Sequence, residues 1–133
     1  MDAPTGNVTL VFTDIEGSTV LWERYGEAFK STLDAHNAII RQAMAANHGY
    51  EVKTEGDAFF VVFSRPLDAV RFSLDVQRGL AALKLKGDDA VRVRIGLHTA
   101  EPLVELDSQG KADYFGPAVN RAARISSAGH GGQ

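Results

Sequence analysis

The run Ala58-Phe59-Phe60-Val61-Val62-Phe63 is apolar at every position. A strand with one wet face alternates apolar and polar residues, so an unbroken run has to be covered on both faces. A central strand between two layers of other structure is therefore expected here. With 133 residues, 44% of them apolar, the chain can supply one compact domain with such a core.

The segments around this run fall into an ordered series. Val8 to Thr13 is a second buried strand, ending at Asp14. Gly17-Ser18-Thr19 then opens a helical pattern in which Leu21, Tyr25, Phe29 and Leu33 recur every four residues, extended by Ile40 and Met44. Gly26 is read as a break between two helices, and Asn47-His48-Gly49 as the stop. Glu51 to Thr54 is a strand joined to Ala58–Phe63 by a tight turn at Glu55-Gly56. Pro66 opens the next helix, with Ala69, Phe72, Val76, Leu80 and Leu83 as its buried stripe. Gly87-Asp88-Asp89 turns the chain. Val91, Val93, Ile95 and Leu97 alternate with Arg92, Arg94, Gly96 and His98, the pattern of a half-buried strand. A hairpin around Asp107-Ser108-Gln109-Gly110 and a helix from Pro117 to Ser127 follow.

This order predicts an α+β fold: a ferredoxin-like βαββαβ sandwich core, helices on one face of a mostly antiparallel sheet, with an extra hairpin and helix. Residues 1–133 are read as a single domain, C-terminally truncated, with its closing strands missing.

Composition narrows the function classes. A net charge of −3 gives no broad nucleic-acid-binding surface. The absence of cysteine excludes disulfides and thiolate metal sites and suits a cytoplasmic setting. No run approaches the ~18 apolar residues of a membrane span, so no membrane insertion is expected. The polar start, Met-Asp-Ala-Pro-Thr-Gly-Asn, lacks the form of a signal peptide. His36, His48, His98 and His130 are scattered, with no zinc-type pair among them.

Three segments could carry chemistry. In Phe12-Thr13-Asp14-Ile15-Glu16-Gly17-Ser18-Thr19, a carboxylate at a strand's end can hold a hard cation. The backbone N–H groups of Gly17, Ser18 and Thr19 can take phosphate oxygens at the helix start. Asp14 or Ser18 could equally be a simple cap. Lys53-Thr54-Glu55-Gly56-Asp57 is read as part of a turn, where charges are commonly just solvated. If the two strands adjoin, however, Asp14 and Asp57 meet at one end of the sheet. Their repulsion then calls for cations, as in two-metal phosphoryl chemistry with ions about 3.5–4 Å apart. In the third segment, Asp113 to Arg124, Asn120 and Arg124 stand four apart on a helix. They offer a neutral ribose contact and a planar cation for phosphate, although a solvated helix face would explain Arg124 as well.

Together, in this order and spacing, Phe-Thr-Asp-Ile-Glu-Gly-Ser-Thr, Lys-Thr-Glu-Gly-Asp and Tyr-Phe-Gly-Pro-Ala-Val-Asn resemble the class III adenylate and guanylate cyclase catalytic domain of bacterial type. The resemblance implies that Asp14 and Asp57, with the Ile15 carbonyl, bind two Mg²⁺ or Mn²⁺ ions. It implies that Lys53 and Asp113 read the base, that Asn120 orients the ribose, and that Arg124 stabilises charge on the phosphates. The implied reaction converts ATP to 3′,5′-cyclic AMP and pyrophosphate. Lys53 can donate to adenine N1 and Asp113 can accept from its amino group, whereas guanine presents the reverse pattern. The family shares its sites between subunits, so a homodimer is expected, with fused regulatory domains in the natural protein. The alternatives are a non-catalytic nucleotide-binding regulatory or dimerisation module of the same fold, and a guanylate cyclase. A polymerase-like palm or a diguanylate cyclase is a more distant rival, since Glu55-Gly56-Asp57-Ala58-Phe59 only loosely echoes a Gly-Gly-Asp-Glu-Phe turn.

Overall fold

The structure is a computed structural model that describes residues 2–83 and 91–133. The turn expected at Gly87–Asp89 lies outside the described residues. The elements are β1 (Val8–Ile15), α1 (Ser18–Tyr25), α2 (Glu27–Ala46), β2 (Tyr50–Glu55), β3 (Ala58–Phe63), α3 (Pro66–Leu80), β4 (Val93–Ala100), β5 (Leu103–Leu106), β6 (Ala112–Phe115) and α4 (Pro117–Ala128). The main sheet has the order β2-β3-β1-β4, and every pairing in it is antiparallel. This is the ferredoxin-like arrangement, and β5 and β6 form a separate two-stranded ribbon.

Both faces of β3 are covered, as its composition requires. Phe59, Val61 and Phe63 pack with Val11 and Ile15 of β1 under a layer that includes Leu21, Phe29, Leu33, Ile40, Phe72 and Val76. Phe60 and Val62 join Val8, Leu10, Val52, Ala112, Tyr114 and Ala122 on the other side. The core helices α1 to α3 thus occupy one face, and the extra helix α4 and the β5–β6 ribbon occupy the opposite one. Phe12 and Phe60 stack on this second face with ring centroids 4.3 Å apart.

The contact between α4 and the sheet depends on Gly96 of β4. A Cβ there would lie 2.7 Å from the Ser126 Cα and 2.9 Å from its Cβ, so only glycine lets the helix backbone come this close. Gly96→Ala is expected to push α4 off the sheet and cost about 1–3 kcal/mol, the usual range for overpacking. Urea denaturation would measure the loss; an unchanged midpoint would mean that α4 has room to yield.

One local reading shifts by a residue. The hairpin pairs Glu55 with Ala58, so its turn residues are Gly56 and Asp57, with Gly56 at φ +59°. After α2 it is His48, at φ +62°, that takes the left-handed conformation. Gly49 is there for space, because a Cβ would lie 2.7 Å from Met44 Cγ.

Candidate active site

Asp14, Ile15 and Asp57 come together at the C-terminal end of β1. Asp14 lies near the end of this strand and Ile15 is its last residue. Asp57, second residue of the β2–β3 turn, reaches across so that its Oδ2 accepts the Ile15 backbone N–H at 2.7 Å. The segments carrying Asp14 and Asp57 therefore meet, as the strand order allows. The simple-cap reading of Asp14 and Ser18 does not hold: α1 is capped by Gly17 at φ +67° without any side-chain cap bond. Gly17 and Thr19 are exposed and Ser18 is half-buried at this helix start.

Asp14 has a partner that the sequence reading did not assign. Arg94 stands directly opposite it in the β1–β4 ladder, so the two side chains share a face. Arg94 Nε donates to Asp14 Oδ1 at 2.8 Å and its Nη2 donates to Oδ2 at 2.7 Å. A third bond runs from Arg94 Nη1 to the Ser127 carbonyl in the last turn of α4, at 3.2 Å. These bonds from Asp14 hold the guanidinium pKa above its usual value, against the opposing effect of burial. In the sequence, Arg94 was one charged member of an alternating strand. Only the register between β1 and β4, which local pattern does not specify, brings it to Asp14.

Lys53 is on strand β2, as the strand reading of Glu51 to Thr54 expects, and of its motif only Gly56 and Asp57 form the turn. A bulge between Glu51 and Lys53 inserts Val52, after which Lys53 pairs with Phe60. Cross-strand partners share a face, so the bulge turns Lys53 toward the side where Phe60 and the β5–β6 ribbon lie. There its Nζ sits 3.4 Å from Asp113 Oδ2. Asp113 Oδ1 also accepts the Tyr114 N–H at 2.8 Å. Half-exposed ion pairs of this kind contribute little stability, which leaves both groups available to a ligand. Lys111 Nζ donates to the Glu51 carbonyl and the Tyr50 hydroxyl accepts the Ala112 N–H, fixing the ribbon beside β2.

Asn120 faces a cleft of about 320 Å³ between α4 and the β2–β3 hairpin, lined also by Phe12, Lys53, Glu55, Phe60 and Ala123. Val119 and Ala123 line this cleft too, while Ala122 is buried against the sheet. Arg124, one turn beyond Asn120, is exposed and outside this cleft. The structure thus joins Asp57 to Ile15 and Lys53 to Asp113, and brings Asn120 to Lys53's cleft. It does not bring Arg124 to them.

Among the described residues, no group of three or more His, Asp or Glu side chains is placed to hold a metal. The oxygen donors at the end of β1 nevertheless suit a hard divalent cation, with Asp14, Asp57 and the Ile15 carbonyl as the set. That Asp14 already accommodates a cation with both oxygens, in the form of Arg94, shows that this carboxylate is placed to face positive charge.

A family model described as the adenylate and guanylate cyclase catalytic domain matches residues 1–133. The chain belongs to this family. Within it, the adenylate cyclase of Lachancea kluyveri is 41% identical over 150 aligned residues, covering 98% of this chain and 8% of the relative. The chain therefore spans less than a tenth of that relative, which is fungal and does not single out the bacterial type expected from the motifs. Among solved cyclase structures, an adenylate cyclase of Trypanosoma brucei in its monomeric state superposes with a TM-score of 0.91 at 29% identity, covering all of this chain and 74% of that one. The guanylate cyclase domain of Catenaria anguillulae in complex with GTP gives a TM-score of 0.80 at 27% identity, covering 96% and 75%.

Proposed function

We propose that this cyclase domain converts ATP to 3′,5′-cyclic AMP and pyrophosphate at a site shared across a homodimer. The observation that carries the choice of base is the contact between Lys53 and Asp113, a cationic donor beside an anionic acceptor. Adenine offers an acceptor at N1 and a donor at its amino group, matching that pair. Guanine offers a ring N–H and a carbonyl in those places, and would set donor against donor and acceptor against acceptor.

In the reaction the ribose 3′-oxygen forms a bond to the α-phosphorus. The bond from that phosphorus to the bridging oxygen breaks, and pyrophosphate leaves with the electron pair. Two divalent ions, Mg²⁺ or Mn²⁺, held by Asp14, Asp57 and the Ile15 carbonyl would supply Lewis-acid stabilisation of the phosphate charges. Asn120 holds the ribose so that the attacking oxygen is aligned, which is where much of the rate gain in an intramolecular displacement originates. Arg124 faces the charge that builds on the phosphates. The N–H groups of Gly17, Ser18 and Thr19 donate to phosphate oxygens at the start of α1. Since Arg124 stands outside the cleft of its own chain, a partner's contribution to each site is the arrangement we favour. No helix among the described residues is long and apolar enough to cross a membrane, in keeping with a domain that works in the cytoplasm.

The test is cyclic nucleotide production from ATP and from GTP, with Mn²⁺ or Mg²⁺, across a range of protein concentrations. Cyclic AMP with specific activity rising on concentration is expected; cyclic GMP in excess would favour the guanylate cyclase reading. Metal-dependent ATP binding without product would favour a regulatory module. Lys53→Glu combined with Asp113→Gly is expected to reduce the preference for ATP over GTP by about tenfold or more, the scale for leaving buried base-reading groups mismatched. If the ratio of kcat/KM values stays where it was, the base is read elsewhere.

A further inference from the structure

Helix α3 has two apolar sides, and the core uses one of them. Ala69, Phe72, Val76 and Leu80 are buried against the sheet and α2. On the opposite side stand Leu67, Val70 and Leu74, which are 50%, 46% and 48% exposed. They are spaced three and then four apart, so they make one stripe about 60° wide and about 10 Å long, the a and d seam of a heptad. Arg71 and Arg78, both exposed, stand four residues after Leu67 and Leu74, at the e position of that heptad. Neither makes an ion pair among the described residues. Asp75, the acid nearest to them on α3, has its Oδ2 engaged by the Asn47 amide at 2.9 Å. Gln77, the next d position, is turned aside to donate to the Val93 carbonyl. A chain with net charge −3 thus carries a short apolar seam edged by two guanidiniums, on the face of the sheet away from Lys53, Asp113 and Asn120.

We propose that this seam docks a helix of a separate protein, one with apolar residues at three-and-four spacing and acidic residues along its flank. Its apolar side chains pack on Leu67, Val70 and Leu74. Its carboxylates meet Arg71 and Arg78 at the rim, where opposite charges select the partner and fix its register. Charge decides against a second copy of this chain. An antiparallel pair of α3 helices sets e against e, arginine beside arginine, and a parallel pair offers those arginines only Pro66, Ser73 and Leu80 at the g positions. Stripe width decides against a lipid surface, which takes a wide apolar face; on α3 the wide face is already in the core. Apolar side chains half-covered by their own helix, with arginines at the rim, suit an interface that forms and dissolves. The occupant is therefore a partner that comes and goes, and because it sits across the sheet from the cleft, it can be bound together with the nucleotide.

The probe is a synthetic helical peptide about three heptads long, with Leu at a and d and Glu at e and g, set against the same peptide with Lys at e and g. Like charges keep either peptide from pairing with itself. Binding to the whole chain is followed by fluorescence anisotropy of the labelled peptide and by the methyl resonances of the protein. The Glu peptide is expected to bind about tenfold more tightly than the Lys peptide, the scale of two rim charge contacts and their reversal. Resonance shifts should centre on Leu67, Val70 and Leu74. The net charge of −3 alone would favour the Lys peptide, so the expected order is opposite to that of general electrostatics. Arg71→Glu combined with Arg78→Glu should reverse the preference, and Leu74→Ser should weaken both peptides about tenfold, the scale of one partly buried leucine. All three side chains are exposed, so the fold tolerates these changes. Equal affinities, a tighter Lys peptide, or shifts centred on the exposed Leu103 and Leu106 of the ribbon would overturn the proposal. Vesicles of phosphatidylserine and phosphatidylcholine that bind the chain through Leu74, while the Glu peptide does not, would give the seam to a lipid surface instead. Self-association in sedimentation that Leu74→Ser abolishes would give it to a second copy, and either result overturns the proposal.

Discussion

Asp57→Ala is expected to lower metal-dependent turnover by about 10²–10³ or more, the loss seen when one group that stabilises developing charge is deleted. The residue has two jobs that the substitution separates. On the proposed two-metal reading its charge is one of two carboxylates offered to the metals, and its Oδ2 holds the Ile15 N–H at 2.7 Å. Asp57→Asn keeps an oxygen that can accept that N–H while removing the charge, so it isolates the first role. Both variants should lose turnover, with Asp57→Asn closer to wild type in thermal melting. The turn itself should survive in either, since its geometry depends on Gly56 at φ +59° and on the Glu55–Ala58 pairing. Asp14→Ala should lose turnover to a similar extent. Near-normal rates in either folded variant would sink the two-metal assignment.

Mixing inactive Asp57→Ala chains with inactive Arg124→Ala chains is expected to restore roughly a quarter of the wild-type specific activity. Random assortment makes half the dimers mixed, and a mixed dimer with shared sites has one of its two sites intact. The expectation follows from where the two residues lie. Asp57 is bonded to the end of β1, while Arg124 projects from α4 outside the cleft that Asn120 and Lys53 line. Two defects in one shared site cannot be repaired by mixing; defects on opposite sides of it can. Mixed dimers confirmed by native mass spectrometry but lacking activity would place every catalytic group within one chain.

The elements were legible wherever a segment's own periodicity decides its structure. The stripe through Leu21, Phe29, Leu33, Ile40 and Met44 is buried as read, and Gly26 does divide α1 from α2. The run at Ala58–Phe63 did specify a strand covered on both sides. What escaped were relations between segments. Nothing local says that Arg94 will face Asp14, because a strand's pattern gives its two faces but not the partner or the register. Nothing in Glu51-Val52-Lys53 announces a bulge, so the strand reading of Glu51 to Thr54 held Lys53 but not its facing toward Asp113. The face taken by α4 was equally hidden, since it depends on the absence of a side chain at Gly96. The candidate metal, base and phosphate residues were named through the joint motif pattern; the structure joins Asp57 to Ile15 and Lys53 to Asp113, and leaves Arg124 outside the cleft of Asn120 and Lys53.

The sheet order also divides the site mechanically. β1 is hydrogen-bonded along both edges, by β3 and by β4, so Asp14 stands on the strand whose opening requires the most of the fold to open with it. Asp113 belongs to a two-stranded ribbon outside the main sheet, held to it by side-chain bonds such as those of Tyr50 and Lys111 and by the Tyr114 hydroxyl, which donates to the Pro4 carbonyl at 2.7 Å. On the proposed reading the metal carboxylate Asp14 thus stands on an interior strand, and the base-reading Asp113 on a ribbon docked onto the sheet through Ala112 and Tyr114.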